Sequence, residues 1–421
     1  MQTLFGTVYQ QRDEGISGAE MTRMVDQSLM MMDSALTVLL VPPDITRMHS
    51  RAGELCALYY QRFVRMGASV SVLPALGTHA PMTPRQLDMM FPGIPHDKFL
   101  RHDWRGGIDT LGEVPEDLIY ELSEGKLRYP IRAQLSRYVT RGDFDLILCL
   151  GQVVPHEVAG MSSHLKHVFV GLGGQEMIDR THFLGAVYGA ERVMGRFDSP
   201  VRQVFDWAGE AFLEDYPIAY ALTVIGEHEG CDVLKGLFIG PGKQGYEQAM
   251  CLSEQVNITR VGKPIDKAVV YLDPDEYHST WLGNKSVYRT RMALAPGASL
   301  LVLAPGVKCC GEDPQNDAII RKYGYCGRQA VLSEVARGRE LARHLSAAAH
   351  LIHGSSDGKF EITYATSKLS EMEVRAVHYR WMAYDKAARL YPPDQLREGF
   401  QTLDSGETIY YIRNPALGLW M

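Results

Sequence analysis

The sequence has no apolar run approaching the roughly 18 residues of a membrane span, so no transmembrane helix is expected. Its opening residues, Met1–Gly15, lack the basic-then-apolar build of a secretory signal, and the chain is expected in the cytoplasm. Cysteine is sparse: the thiols lie at Cys56, Cys149, Cys231, Cys251, Cys309, Cys310 and Cys326, with no CxxC pair. That scatter supports neither a disulfide framework nor a zinc ribbon. Cys149 sits inside an apolar run and reads as a small core residue, while Cys309, Cys310 and Cys326 lack metal-ligand spacing. A strong charge of one sign is lacking too. A formal net charge of −7 over 421 residues is mild and argues against a general nucleic-acid binder. There is no tandem repeat and no low-complexity tract.

What is present suits packed cores. Hydrophobic residues make up 46% and charged residues 22%, and the length exceeds one ordinary core. Two domains are expected, over residues 1–262 and 263–421. Short apolar runs alternate with helical spacing, which predicts two α/β domains with mostly parallel sheets and an active-site cleft between them. Residues 16–34 have helical spacing, with methionines that more often fill a core than bind a cofactor. Ala35–Val41 predicts a buried strand, followed by a loop holding Asp44, Thr46 and Arg47. Taken alone, Asp44 is a turn cap and Arg47 a solvated cation. Ser50–Met66 predicts a helix and Ala68–Ala75 a strand. The loop after it carries Gly77 and His79, before a helix opening at Thr83-Pro84. Residues 95–140 read as polar and irregular, with His102-Asp103 on a solvated loop.

The third strand–loop–helix unit is the richest. Phe144–Leu150 is an apolar run of strand length, and after it come His156, Lys166, the glycine-rich Gly171–Gly174 and His182. Those glycines predict a turn that lets backbone approach a ligand closely. Parallel strands put their carboxyl ends on one sheet edge, so Asp44, Arg47, His79, His156 and Lys166 are expected to converge. Imidazoles suit proton transfer and, when neutral, ligate nickel, zinc, copper or iron. A lysine among them suits a Schiff-base nucleophile, an anion partner or a covalent cofactor anchor. The residues alone stop at a small-molecule enzyme. A Schiff-base lyase, a zinc hydrolase and a non-catalytic nickel or nucleotide carrier all remain open.

Further on, strands are expected at Ala219–Ile225, Gly236–Ile239, Lys267–Leu272, Ser299–Ala304 and Phe360–Ala365. Helices are expected at Lys285–Ala295 and Arg328–Ala349. Turn chemistry explains the Gly240–Gly245 loop (GPGKQG). The aromatic-rich tail, Ile409–Met421, is expected to pack back on the first domain.

One pattern goes further. PHEVAGMSSHLK (Pro155–Lys166), followed by His182, resembles the lactate racemase family of nickel-pincer enzymes. PDITR (Pro43–Arg47) and LGTHAPMT (Leu76–Thr83) agree with it, in the family's order. The resemblance implies a racemase or epimerase that inverts C2 of a 2-hydroxy acid by reversible hydride transfer through a 2-keto acid. It implies a nickel-pincer nucleotide, Ni(II) pyridinium-3,5-bisthiocarboxylic acid mononucleotide, carried on Lys166 with His182 as the nickel ligand. By the same resemblance His79 and His156 are the paired acid/base residues and Arg47 orients the substrate. Asp44 and Thr46 belong to the cofactor side of the site. The implied partners are the 2-hydroxy acid and the enzymes that make the cofactor, with no nucleic acid and no membrane.

Two departures accompany the resemblance. Ser162-Ser163-His164-Leu165 stands where the family often has glycines before the anchor lysine. In WLGNKSVYRTR (Trp281–Arg291), Lys285 takes the place of a carboxylate-binding lysine, and no Gln precedes it as in the lactate enzymes. Lys285, Tyr288 and Arg289 are expected at the substrate. With Asn284 and the later His353, Ser355 and Ser356 they suit an aldonate-type sugar acid, or else form an ordinary polar domain interface.

Overall fold

The computed structural model describes residues 8–30 and 37–421; the remainders of the expected 16–34 helix and Ala35–Val41 strand lie outside the described residues. The chain forms two units. One runs to Leu184 and resumes over Gly195–Asn257; the other comprises Gly185–Met194 and Ile258–Met421.

The sheet of the first unit contains β1 (Val8–Gln11), β2 (Thr37–Val41), β3 (Ser69–Val72), β4 (Leu146–Gln152), β5 (Ile218–His228) and β6 (Cys231–Pro241). Their order is β1-β6-β5-β4-β2-β3. β5, β4, β2 and β3 run parallel, while β6 and β1 add to one side antiparallel. Every residue of β4 is buried, as a parallel strand covered on both faces requires. Val41, the last residue of β2, pairs with Cys149, and β4 runs on to Gln152 in the same direction. The loops that follow therefore leave the sheet at one edge.

Local chemistry sets the helices between these strands. Ser17 forms a capping box with Glu20 at the start of Gly18–Leu29, and Thr83 does the same with Gln86 ahead of Pro84–Met90. The helix Ala52–Arg65 buries Leu55, Tyr59 and Phe63 along one face, each worth about 1.5–3 kcal/mol. It stops before Gly67, whose φ of 86° ends the helical path. Residues 95–140 are more ordered than their polarity suggests. Ile108–Val114 pairs antiparallel with Ile131–Ser136, and Glu116–Leu122 is helical. His102 is buried there, not solvated, and its Nε2 donates to the Gly173 carbonyl at 3.0 Å.

The second unit has its own sheet: β7 (Ile265–Tyr271), β8 (Leu294–Ala304), β9 (Glu361–Thr366), β10 (Arg380–Ala383), β11 (Gly399–Thr402) and β12 (Thr408–Ile412). In the order β10-β9-β8-β7-β12-β11 all neighbours are parallel except the last pair. Val269, Leu301, Leu303, Ala365 and Ile409 pack on one face of it. Two expected helices are broken. Lys285–Ala295 is helical only over Lys285–Tyr288, after a separate turn at Thr280–Gly283, because β8 claims the chain from Leu294. Arg328–Ala349 divides into Arg328–Ala336, Glu340–Arg343 and Leu345–His353, with Gly338 at a φ of 67° in the first break. The tail pairs Leu419–Trp420 with Ile258–Thr259, where the second unit resumes. No helix among the described residues is long and apolar enough to cross a membrane.

Candidate active site

The loops after β2, β3 and β4 bring the polar residues of the first unit together. Asp44, 4% exposed, has two roles at once. Its Oδ1 accepts from the Thr46 amide at 3.2 Å and the Thr46 hydroxyl at 2.6 Å, starting the turn Ile45–Ser50. Its Oδ2 lies 2.6 Å from His79 Nδ1. The turn-cap reading of Asp44 is therefore right but incomplete. A carboxylate can only accept from a neutral imidazole, so His79 carries its proton on Nδ1 and its lone pair on Nε2.

His156 is built the opposite way. Its Nδ1 accepts from the amides of Val158, at 3.1 Å, and Ala159, at 3.4 Å. The neutral ring then carries its proton on Nε2. Glu157 follows directly, with a carboxylate oxygen 3.6 Å from His156 Nδ1. One histidine thus presents a basic nitrogen and the other an N–H.

Lys166 follows at the start of a helical segment that continues through His167–Gly171. Burial, reinforced by the Arg47 guanidinium, lowers its ammonium to about 8, with Glu157 and Asp44 opposing. His182 lies on the helix Gln175–Tyr188, and its Nδ1 donates to the Ile178 carbonyl at 2.7 Å. Burial and the nearby Lys166 cation hold it down to about 4, so the ring is neutral with its lone pair on Nε2. That is the state in which imidazole ligates a metal, with the other nitrogen fixed by a backbone carbonyl. Arg47 Nη1 is buried and has no hydrogen-bond partner among the described residues.

Residues 24–195 match the family model of the lactate racemase N-terminal domain. The matched segment holds Asp44, Arg47, His79, His156, Lys166 and His182. Two solved structures share its fold over nearly the whole length. A protein from Thermotoga maritima has a TM-score of 0.84 at 24% identity, covering 98% of this chain and 99% of that one. The lactate racemase apoprotein from Thermoanaerobacterium thermosaccharolyticum has a TM-score of 0.68 at 14% identity, covering 98% and 96%. At these identities the likeness is one of fold. No curated protein matches the chain in sequence.

Within this racemase-like frame the glycine-rich stretch behaves differently from expectation. A Cβ on Gly173 would lie 1.7 Å from the Phe169 carbonyl oxygen, and one on Gly174 would lie 2.3 Å from Ile108. The close approach these glycines permit is to the protein itself, not to a ligand. Ser163 and His164, in the places where the family often has glycine, both adopt left-handed backbone, with φ of 67° and 55°. That conformation costs a non-glycine residue roughly 1–2 kcal/mol. His164 is buried and stacks on Tyr246, which agrees with a space-filling role.

The second-unit residues lie in their own surroundings. Lys285 is buried, its ammonium 5.3 Å from the Tyr277 ring centre. Tyr288 packs with Ala190, Met194 and Leu419. Arg289 Nη1 donates to the carbonyls of Pro415, Ala416 and Gly418, tying down the tail. Sequence reasoning missed Glu157, whose adjacency to His156 was the available signal. It also missed Arg202, which had none, because a buried arginine in an amphipathic helix is visible only once the helix is packed.

Proposed function

We propose that the chain is a racemase or epimerase that inverts C2 of a 2-hydroxy acid with a nickel-pincer nucleotide carried on Lys166. The observation that carries the proposal is the pair His79 and His156, held in opposite tautomers beside a lysine of lowered basicity. The residues present suit the cofactor. A Lys166 amine that titrates near 8 is a competent nucleophile for forming the linkage. His182 offers a neutral Nε2, and Arg47 Nη1 is a buried donor suited to an anionic oxygen. No cluster of three or more His, Cys, Asp or Glu is placed to hold a metal among the described residues, so His182 would share the ion with ligands of the nucleotide.

When bound, the group would supply a hydride acceptor. The protein's part is proton transfer and orientation. His79 Nε2 takes the hydroxyl proton of one stereoisomer, and Asp44 stabilises the resulting imidazolium. His156 serves the other isomer: its Nε2–H hydrogen-bonds that isomer's oxygen, and it transfers a proton only as the imidazolium. In reverse the two exchange roles. One acid/base group for each isomer is what inversion requires, and each contributes about a hundred- to ten-thousand-fold. Arg47 orients the substrate, and Thr46 secures Asp44. An aldonate-type sugar acid is the proposed substrate class, and the enzymes that make the nucleotide are the proposed partners.

Intact mass and nickel content test this, on protein co-produced with those enzymes. An adduct at Lys166, absent from Lys166→Ala, is expected with about one nickel per chain, followed by inversion in a screen of 2-hydroxy acids. Unmodified Lys166 without nickel would overturn the proposal. The lowered Lys166 also suits a Schiff base, and borohydride trapping of a substrate adduct would favour that second reading.

A further inference from the structure

Behind the anchor loop stands a buried assembly that the acid/base chemistry does not use. Arg202, on the helix Pro200–Phe212, is 2% exposed. Its Nη2 donates to the Met161 carbonyl at 2.8 Å, the Ser163 carbonyl at 3.5 Å and the Tyr246 hydroxyl at 2.6 Å. Tyr246, on the helix Gln244–Asn257, donates to the same Met161 carbonyl at 3.2 Å. The Tyr246 ring also stacks on His164, with centroids 4.7 Å apart and planes 7° apart, and Tyr220 contacts His164 at 4.4 Å. The guanidinium carbon lies 4.8 Å from the Tyr246 ring centre, so the cation is held by aromatic faces as well as by oxygens.

The peptide gripped in this way contains the two consecutive left-handed residues, Ser163 and His164, and leads directly to Lys166. Neither residue is glycine, so the chain does not favour this path by itself; packing must impose it. A charged donor on the carbonyls at Met161 and Ser163, with a ring stacked on His164, is a physical means of doing so.

We propose that Arg202 and Tyr246 are positioning residues that impose the left-handed turn at Ser163–His164 and thereby direct Lys166 into the site. The inference rests on reading Lys166 as the attachment residue. A pair of glycines in this loop would take the turn with no such clamp. Here the clamp replaces the missing glycines.

The test uses the full-length chain and a small amine-acylating ester, with labelling of each lysine read by peptide mass. Arg202→Met is expected to lower Lys166 labelling at pH 8, relative to the other lysines, by about tenfold, as for strongly coupled neighbours. Nucleotide loading at Lys166 should fall in parallel. Ser163→Gly with His164→Gly, added to Arg202→Met, should restore both, because glycine takes the turn unaided. Tyr246→Phe is the gentler probe should Arg202→Met unfold; it should lower labelling about threefold or more, because it removes the hydroxyl's bonds to Arg202 and to the Met161 carbonyl. Wild-type labelling in the folded variants overturns the proposal. So does a loss that the glycine pair fails to restore, since plain core damage behaves that way. The predicted labelling pattern with no adduct in any form, wild type included, upholds the clamp and rejects the attachment reading instead.

Discussion

The titration of Lys166 gives the sharpest quantitative test of the site. Burial is the larger cause of its lowered basicity and the Arg47 guanidinium the second, and together they bring the ammonium to about 8. At pH 7.5 such an amine is about one-quarter neutral, against about one part in a thousand for an ordinary lysine near 10.4. The expected gain in nucleophile is roughly two hundredfold. Competitive acylation of the cofactor-free chain between pH 6 and 11, resolved by peptide mass, reads this directly. The Lys166 rate should rise through about 8. Arg47→Met should move the midpoint upward but leave it below the ordinary value, because burial persists. A wild-type midpoint at 10 or above would refute the burial argument, and a midpoint lowered by Arg47→Met would refute the charge argument. The same depression has a stability consequence whose sign is fixed. Between about 8 and the ordinary lysine value the unfolded chain binds more protons than the folded one, so stability rises with pH through that window.

Other outcomes follow from single contacts. Asp44→Asn keeps an oxygen to cap Thr46 but removes the carboxylate from His79; turnover should fall about ten- to a hundredfold with little change in thermal midpoint. His182→Ala should abolish nickel binding, measured by metal analysis, while the adduct mass on Lys166 persists. His79→Ala and His156→Ala should each keep nickel and lose about a hundredfold or more in turnover, measured by stereochemical assay. Leu148→Ala, at a fully buried position of β4, should cost about 2–5 kcal/mol, read as a lower denaturant midpoint at unchanged slope.

Much of the scaffold was legible in the residues. Val38–Val41 and Leu146–Leu150 are continuous apolar runs at strand length, and strands of that kind are buried in parallel sheets. Thr83-Pro84 with Gln86 announced a helix start because capping is a local interaction. The failures came where distant segments compete. The turns at Thr280–Gly283 and Lys285–Tyr288 carry helical spacing, but the chain is taken up by β8 beyond them. His102 looked solvated among polar neighbours, yet a carbonyl at Gly173, far along the chain, receives its proton.

The candidate site divides in the same way. The sequence by itself determined which groups could act, since the order of His79, His156, Lys166 and His182 after strand-like runs placed them at one end of parallel strands. It also carried the His156 tautomer, set by amides two and three residues away. Only the tertiary structure decided that Asp44 reaches His79 as well as its own turn, because the two lie on different loops. It alone decided that Gly173 and Gly174 serve packing and that Arg202 grips the peptide before Lys166. Such roles depend on distances between segments remote in sequence, and burial sets the strength of those contacts; neither quantity is present until the chain has folded.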